Sequence, residues 1–174
     1  MSIRPAPTEY APYFARYVDL VPEDDICTTL KEQGSATESI LKLLNDKQAS
    51  YRYAPDKWSV KQLVGHVTDA ERIFGYRALS IARGETRKLP GFDEKNYGAT
   101  GEFDRRPWND LVAELATVRQ ATVALFGGLP EEAWERSGVA NDNAISVRGL
   151  AYVIVGHERH HLNVLRERYL QAAT

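Results

Sequence analysis

Histidines on the apolar faces of two predicted helices are the feature of this chain that most restricts its fold. His157 and His161 are four residues apart, so on an α-helix they are offset by about 40° and about 6 Å and can point the same way. A helical wheel places both within an apolar stripe that includes Leu150 and Ile154. His66, far earlier in the chain, lies on an apolar stripe of its own. The fold is therefore expected to bring two helices together on these faces.

The three histidines are candidate ligands of one metal ion. Burying an imidazole without a partner costs on the order of a few kcal/mol, and coordination to a metal removes that cost. A site of three histidines also leaves one coordination position open, as catalytic zinc sites do. The sequence thus predicts one divalent metal ion at His66, His157 and His161. In the alternative interpretation they are core histidines bonded to backbone carbonyls or to each other, and His160 falls at the edge of the stripe in either case.

Helical periodicity extends through most of the chain and predicts an all-α fold, with few strands. Ser59 and Ser146 are expected N-caps of two of the helices. The predicted helices are residues 25–44, broken or bent near Gly34, then 59–82, 107–128, a short 131–136 and 146–170, with an additional turn at 12–18. Four main helices in a single domain over residues 1–174 indicate an antiparallel four-helix bundle.

The connection between the second and third helices, residues 83–106, is long for a simple hairpin. Connections of that length in a compact domain are usually functional or crossover segments. Two interpretations stay open: its 91–93 and 97–98 stretches cover the mouth of a pocket, or the segment is a plain crossover.

Composition excludes several classes of protein. The chain has 174 residues and a net charge of −2 without a run of Lys or Arg, which argues against a general polyanion binder. Its single Cys27 cannot form an internal disulfide and fits a reducing compartment. No apolar stretch reaches the roughly 18–20 residues needed to span a membrane, and the first residues lack the apolar core of a secretory signal. We expect a cytoplasmic protein without nucleic-acid or membrane partners.

Glu158 completes an H-E-x-x-H pattern with His157 and His161, the pattern of zinc peptidases in which Glu is the general base. Such peptidases take a third ligand from further along the chain, and no His, Asp or Cys follows His161. They also present an edge strand to the substrate, which is not expected here. A peptidase is therefore disfavoured, although Glu158 remains a candidate base or hydrogen-bond acceptor beside the apolar stripe.

Two further charged residues are candidates for roles near the histidines. Asp69, one turn after His66, either orients a ligand ring through its second nitrogen or faces solvent as an ordinary helix carboxylate. Arg77 falls on the same face as His66, an unusual place for a charge. It either binds an anionic thiol or a substrate carboxylate, or pairs with a buried carboxylate such as Glu71, and pairing is the preferred interpretation.

Several motifs occur in an order and spacing that resemble one known family. They are Trp58-Ser-Val-Lys-Gln-Leu-Val-Gly-His66, then Asp69-Ala-Glu-Arg72, Phe74-Gly-Tyr-Arg77, Leu89-Pro-Gly-Phe-Asp93 and the final Gly156-His-Glu-Arg-His-His161-Leu. From about residue 38 onward the chain is similar to the DinB-like (YfiT-like) metalloprotein superfamily. The combination of Trp-Ser…His with His-x₃-His is the specific part, since either half alone would be weak.

The resemblance implies a four-helix bundle in up-down-down-up order, often dimeric. A divalent metal, commonly nickel or zinc, would be held by the matching residues His66, His157 and His161. A homodimer is also suggested by the aromatic residues at positions 10–17, which either dock on a partner or fold back over their own bundle. No nucleic-acid role follows from the resemblance.

Fold alone does not decide the activity. Similar members of the superfamily are thiol S-transferases that use low-molecular-weight thiols such as bacillithiol, and others are described as metal-dependent hydrolases. In a transferase the metal would hold a thiol as thiolate at neutral pH. In a hydrolase it would lower the pKa of a bound water toward about 7, with Glu158 or Asp69 helping to remove a proton. A metal-binding stress-response protein without turnover is the third possibility, and the S-transferase is the preferred one.

Overall fold

Four long helices form the framework of the computed structural model, which describes residues 4–170. In chain order the α-helices are α1 (Ala15–Val18), α2 (Ile26–Leu41), α3 (Asp46–Ala49), α4 (Val60–Ala82), α5 (Glu94–Thr100), α6 (Trp108–Gly127) and α7 (Val147–Val164). Short 3₁₀ helices lie at Pro7–Glu9, Pro12–Phe14, Phe103–Arg105 and Glu131–Ala133, and α7 continues as a π-helical segment, Leu165–Leu170. The long helices α2, α4, α6 and α7 confirm the predicted all-α bundle.

Serine caps set where two of the long helices begin, as predicted. The Ser59 side chain accepts from the Gln62 backbone N–H at 3.0 Å, while the Gln62 side chain accepts from the Ser59 N–H at 3.1 Å. At the start of α7, the Ser146 hydroxyl oxygen accepts from the Gly149 N–H at 2.8 Å. These oxygens satisfy donors that have no partner in the first turn of a helix, so each helix has a defined start.

Hydrogen bonds between helix ends show the directions of α2, α4 and α6. The Trp108 indole N–H at the start of α6 donates to the Leu41 carbonyl at the end of α2, at 3.1 Å, so these two helices are antiparallel. The Lys61 ammonium at the start of α4 donates to the Arg106 carbonyl just before α6, at 2.8 Å. The starts of α4 and α6 therefore lie side by side, and these two helices run in the same direction.

The last helix returns antiparallel to α4. The Tyr169 hydroxyl, in the π-helical segment after α7, donates to the Trp58 carbonyl just before α4, at 2.7 Å. With α2 up, α4 and α6 run down and α7 runs up, which confirms the up-down-down-up order. Helix α4 packs on both α6 and α7, and α2 packs on the same two neighbours. None of the helices in residues 4–170 is long and apolar enough to cross a membrane.

Helix α2 is continuous through Gly34, so the predicted break there is wrong. The glycine leaves room for packing. A Cβ placed on Gly34 would lie 2.6 Å from Cγ of Arg119 on α6. The position therefore lets a long buried side chain cross the face of α2.

The long connection between α4 and α6 is a structured crossover and not a bare loop. It contains α5, whose first residues donate backbone N–H groups to the Asp93 carboxylate, an N-cap that the sequence analysis did not recognise. The crossover packs back on α4, where a Cβ on Gly65 would lie 2.4 Å from the Phe103 ring. The Gly98 carbonyl also accepts from the Gln62 side chain at 3.2 Å.

A two-stranded antiparallel hairpin, β1 (Ser137–Ala140) and β2 (Asn143–Ser146), precedes α7. Its turn residues Asn141 and Asp142 have φ of 51° and 59°, the left-handed conformation that a type I′ hairpin turn requires. Leu89 of the crossover forms a further bridge to β1. The predicted helix at 131–136 is only a 3₁₀ turn, and the hairpin follows where the sequence analysis expected no element.

The N-terminal segment folds back over its own bundle, one of the two alternatives left open above. Phe14 and Tyr17 are buried and join the core formed with α7. The Glu9 carboxylate accepts from the Ser146 hydroxyl and pairs with the Arg148 guanidinium, both at 2.9 Å. These contacts fasten the segment to the start of α7.

Candidate metal centre

The three histidines proposed as ligands converge between α4 and α7. His66 lies on α4, and His157 and His161 lie on the adjoining face of α7. The Nε2 atom of His157 is 3.1 Å from Nε2 of His66 and 3.2 Å from Nε2 of His161. One ligand atom from each of the three residues lies within 4.8 Å of the other two. A single ion can therefore contact all three rings.

The separations fit a shared cation better than a set of hydrogen bonds. An imidazole nitrogen offers one N–H or one lone pair, so Nε2 of His157 cannot bond well to two other Nε2 atoms. Two nitrogens each roughly 2.0–2.1 Å from a tetrahedral zinc ion are about 3.3–3.4 Å apart. That value is close to the 3.1 and 3.2 Å observed. The donor set is thus suited to a divalent metal, in preference to the alternative of core histidines bonded to each other.

Burial keeps the imidazoles neutral, which is the form that binds metal. It lowers the pKa of His66 to about 4 and the pKa of His161 to about 3. The pKa of His157 is lowered well below its ordinary value, mainly by burial and further by the neighbouring imidazoles. At neutral pH all three rings therefore carry a free lone pair without prior loss of a proton.

Aromatic side chains enclose the histidines. The Trp58 ring lies 4.8 Å from the His66 ring, centroid to centroid, and the rings of Tyr17 and Phe74 lie 5.3 and 5.7 Å from that of His157. Tyr17 comes from α1, so the N-terminal segment completes the wall of the site. This role is not predictable from the sequence, because nothing in the local pattern around Tyr17 links it to the distant histidines.

His160 stands apart from the convergent group, in agreement with its position at the edge of the apolar stripe. It is half-buried, and its ring lies 5.7 Å from that of Tyr17 and 5.1 Å from that of His161. Its ring thus packs beside a proposed ligand without joining the three nitrogens that converge.

A cavity of about 490 Å³ opens beside the histidines and is lined by His66 and His157. Phe74 forms part of its apolar wall, while Phe92 and Asp93 of the crossover line it from another side. Phe92 and Asp93 therefore lie at this cavity, as in one of the two interpretations of the long connection, whereas Tyr97 and Gly98 do not line it. A small molecule in the cavity can contact both the histidines and the crossover.

Arg77 lines the same cavity, and its expected pairing with Glu71 is wrong. The Arg77 side chain is 4% exposed and donates to the Pro90 carbonyl at 2.7 Å. Its Nε has no hydrogen-bond partner among the described residues. Glu71 faces α6 instead and pairs there with Arg119 at 2.7 Å. Burial lowers the pKa of the Arg77 guanidinium.

Glu158 does not face the histidines but belongs to a buried ion-pair network. Its carboxylate accepts from the Gln33 side chain and lies 2.9 Å from the Arg119 guanidinium. Arg119 also donates to both oxygens of Glu71, at 2.8 and 2.7 Å. Burial lowers the pKa of Arg119, but the two carboxylates raise it overall. The geometry therefore gives Glu158 a structural role in place of the proposed general base.

Asp69 does not orient the His66 ring, the role considered for it from the sequence. Its carboxylate pairs with Arg72 at 3.5 Å, and no hydrogen bond joins it to His66 within residues 4–170. Burial raises the pKa of Asp69, and the charge of Arg72 opposes that rise. The structure therefore does not place Asp69 where it would orient the His66 ring.

Arg119 is a buried charge that was not predicted from the sequence. It lies on the face of α6 that carries the buried residues Leu115 and Phe126, four residues before it and seven after it. An arginine inside an apolar stripe is a detectable signal, of the same kind that drew attention to Arg77. The partners could not be inferred, because Glu71 and Glu158 come from two other helices.

The fold and the three convergent histidines together define a four-helix bundle with a candidate metal centre. The family model for the DinB superfamily matches residues 29–165, and the chain belongs to that superfamily. The match covers the three histidines and all four long helices except the first residues of α2.

Individual proteins resemble the chain over most of its length. A protein of Oceanobacillus iheyensis named "putative metal-dependent hydrolase" is 29% identical over 144 residues, covering 80% of this chain and 82% of that protein. YfiT from Bacillus subtilis, described as a probable metal-dependent hydrolase with an unusual four-helix bundle topology, superposes with a TM-score of 0.77 at 20% identity, over 86% and 87% of the two chains. The DinB-like protein YjoA from Bacillus subtilis superposes with a TM-score of 0.61 at 21% identity, over 86% and 92%. The two structures support the fold.

Proposed function

We propose that the protein binds one divalent metal ion per chain, nickel or zinc, at His66, His157 and His161. We further propose that it is a metal-dependent transferase that passes a low-molecular-weight thiol, such as bacillithiol, to a small electrophile. The observation that carries the first proposal is the convergence of three neutral Nε2 atoms, with separations of 3.1 and 3.2 Å. Membership of the DinB superfamily supports a metal-dependent function.

The residues around the three histidines form a largely apolar site that suits the transfer of a thiol. A divalent ion bound there would supply a positive charge that favours the thiolate form of a thiol at neutral pH. The rings of Tyr17, Phe74 and Trp58 pack against the histidines, and this apolar cover would limit the hydration of a bound thiolate and so favour its reactivity. The adjoining cavity, about 490 Å³, has room for a small electrophile beside the thiol.

Thiol transfer is favoured over hydrolysis by what the two candidate carboxylates do. A hydrolase benefits from a base that removes a proton from water. Glu158 is held by Arg119 at 2.9 Å, and Asp69 pairs with Arg72 at 3.5 Å. A thiol, whose unperturbed pKa is about 8.5, reaches its reactive form more readily than water and has less need of such a base.

Hydrolysis is the second candidate, and two observations favour it. The relative in Oceanobacillus iheyensis carries the name of a metal-dependent hydrolase. Asp93 also lines the cavity with the histidines and is a carboxylate that could accept a proton, although it caps α5. In this alternative the metal would activate water in place of a thiol.

The two reactions are separated by assays on metal-loaded protein. Cysteine, glutathione and bacillithiol are each incubated with the aromatic electrophile 1-chloro-2,4-dinitrobenzene, and thiol consumption is followed for the wild type, His66→Ala and His160→Ala. We expect acceleration by the wild type and His160→Ala and none by His66→Ala. Equal rates with wild type and His66→Ala would remove the transferase. Metal-dependent cleavage of p-nitrophenyl acetate, without thiol transfer, would establish the hydrolase, and metal binding without either activity would indicate a non-catalytic protein.

A further inference from the structure

Arg77 and Arg119 are both buried arginines, but only one of them has its charge matched. Each is 4% exposed. Arg119 lies between the carboxylates of Glu71 and Glu158, at 2.7 and 2.9 Å. Arg77 forms no ion pair within residues 4–170, its Nε has no hydrogen-bond partner, and its one hydrogen bond there is to the neutral Pro90 carbonyl. A guanidinium stays charged in proteins, so Arg77 is a buried cation without a counter-ion in the described part of the chain.

The guanidinium of Arg77 lines the cavity beside the candidate metal centre. Arg77 follows His66 on α4 by three turns, about 16 Å along the helix axis, and long side chains on a helix lean back toward its N-terminus. Phe74 is close to both the histidines and Arg77. Its ring centroid is 5.7 Å from the His157 ring and 5.8 Å from Cζ of Arg77. An apolar surface therefore connects the histidines to the guanidinium.

Within residues 4–170, the other charged residues that line the cavity form no ion pair with Arg77. Asp93 uses its carboxylate to accept from the backbone N–H groups of Lys95 and Asn96, both at 3.0 Å. Glu94 and Lys95 are exposed at the rim and carry opposite charges. Among the described residues, Arg77 is thus the buried charge in the cavity that has no ion-pair partner.

We infer that Arg77 binds a carboxylate of a small molecule that occupies this cavity, a role that rests on the proposed function of the metal centre. The planar guanidinium fork matches a carboxylate in two parallel hydrogen bonds, and the hydrogen bond to Pro90 holds its orientation. The ligand class is a monocarboxylate with an apolar body lying against Phe74 and its reactive end at the histidines. Such a molecule supplies the counter-ion that Arg77 lacks within residues 4–170.

Binding of the carboxylate is tested without any metal. Chelator-treated wild-type protein is titrated by calorimetry with 3-phenylpropionate and, as a neutral isostere, 3-phenylpropionamide. We expect the carboxylate to bind at least about tenfold more tightly, since charge-assisted pairs are roughly twice as strong as neutral ones. Equal affinities, or no binding of the carboxylate, would overturn the inference, and this comparison needs no variant.

Three variants assign the effect to Arg77. Arg77→Gln is expected to lose the preference for the carboxylate, and Arg77→Lys to keep part of it. Arg72→Gln removes an exposed arginine from the same helix, and its preference should equal that of the wild type. Circular dichroism confirms that each variant is folded. An unchanged preference in folded Arg77→Gln would contradict the assignment.

Two further measurements separate the sources of the carboxylate and the two proposals. 3-Mercaptopropionate and its amide are titrated into metal-loaded protein. A preference for the acid that requires Arg77 would place the carboxylate on the thiol, whereas a preference limited to 3-phenylpropionate would place it on the electrophilic substrate. Metal content is measured by elemental analysis. Metal without carboxylate binding would refute only the role of Arg77, and carboxylate binding without metal would refute only the metal centre.

Discussion

Gly156 packs directly against the backbone of Tyr17. A Cβ on Gly156 would lie 2.0 Å from the Tyr17 carbonyl oxygen and 2.5 Å from its carbonyl carbon. Gly156 immediately precedes His157 on α7, and the Tyr17 ring lies 5.3 Å from the His157 ring. The missing side chain therefore lets the N-terminal segment lie close enough to cover a proposed metal ligand.

Replacing Gly156 by Ala should destabilise the protein by about 1–3 kcal/mol. The added Cβ would meet the backbone of Tyr17, which cannot rotate away as a side chain can. Urea unfolding of metal-free protein measures the change. Gly75→Ala is the matched control, since nothing lies within 4 Å of the added Cβ in the same bundle. That variant should gain up to about 1 kcal/mol from the better helix propensity of Ala. Equal stability of Gly156→Ala and the wild type would contradict the close packing.

Purified wild-type protein should carry close to one divalent metal ion per chain. Ala in place of His66, His157 or His161 should abolish binding, because each removes one of three nitrogens that a single ion would share. His160→Ala should retain most of it. Elemental analysis after reloading at neutral pH measures the content, and a larger loss in His160→Ala than in His161→Ala would show that the ligand set is wrong.

Metal-free protein should lose stability as the pH falls below about 6.5. His66 has a folded pKa of about 4 against an ordinary value of 6.5. The unfolded chain therefore binds a proton in this range that the folded chain does not. The loss begins as the pH falls through 6.5 and is complete below 4, where it amounts to roughly 3 kcal/mol for this residue.

Urea unfolding at pH 7.5, 6 and 5 tests the histidine contribution. His66→Asn serves as the comparison, because acid-sensitive carboxylates elsewhere affect both proteins equally. The stability of the wild type should decline more steeply than that of the variant between pH 6.5 and 5. Parallel curves would mean that His66 is not held neutral by the fold.

Arg119→Met should be strongly destabilising, by about 3–5 kcal/mol, because it leaves Glu71 and Glu158 buried without their cation. Arg72→Met, at an exposed position, should cost no more than about 1 kcal/mol. Thermal unfolding compares the two. Similar melting temperatures would indicate that the buried carboxylates find other partners or take up protons.

We expect the protein to be a homodimer, in line with the resemblance noted in its sequence. Phe14 and Tyr17 are committed to the core of their own chain, whereas Tyr13 and Tyr76 are 56% exposed and are available for contact with a partner. Light scattering at micromolar concentration should give about twice the chain mass of 19.6 kDa. A monomer mass would reject the expectation.

Periodicity revealed the bundle and the histidines for the same physical reason. In a long helix every third or fourth side chain faces the core, so His66, His157 and His161 stood out as polar residues inside apolar stripes. Ser59 and Ser146 were recognisable as caps because their effect is local. These features depend on neighbours within one or two helical turns.

The features that escaped prediction depend on residues distant in sequence. Glu158 pairs with Arg119 on α6, and this partner changed its role, because a helical wheel shows which way a side chain points but not which residue it contacts. The strands of the hairpin, four residues each, are too short for alternation to be visible. The function of Gly34 as a packing position is apparent only when Arg119 is seen across from it.

The turn of the β-hairpin has a consequence for how the protein could be re-engineered. Asn141 and the crossover residues Glu94 and Lys95 are exposed at the cavity rim, whereas His66 and His157 belong to packed helices. The hairpin turn at Asn141 and Asp142 can be exchanged by loop grafting, in length as well as in composition, while the helices keep their register, whereas Glu94 and Lys95 begin helix α5 and stay with it. The cavity therefore combines an inner wall fixed by helix packing with a hairpin turn that can be varied. A library of turn sequences is the starting point for altering which molecules enter.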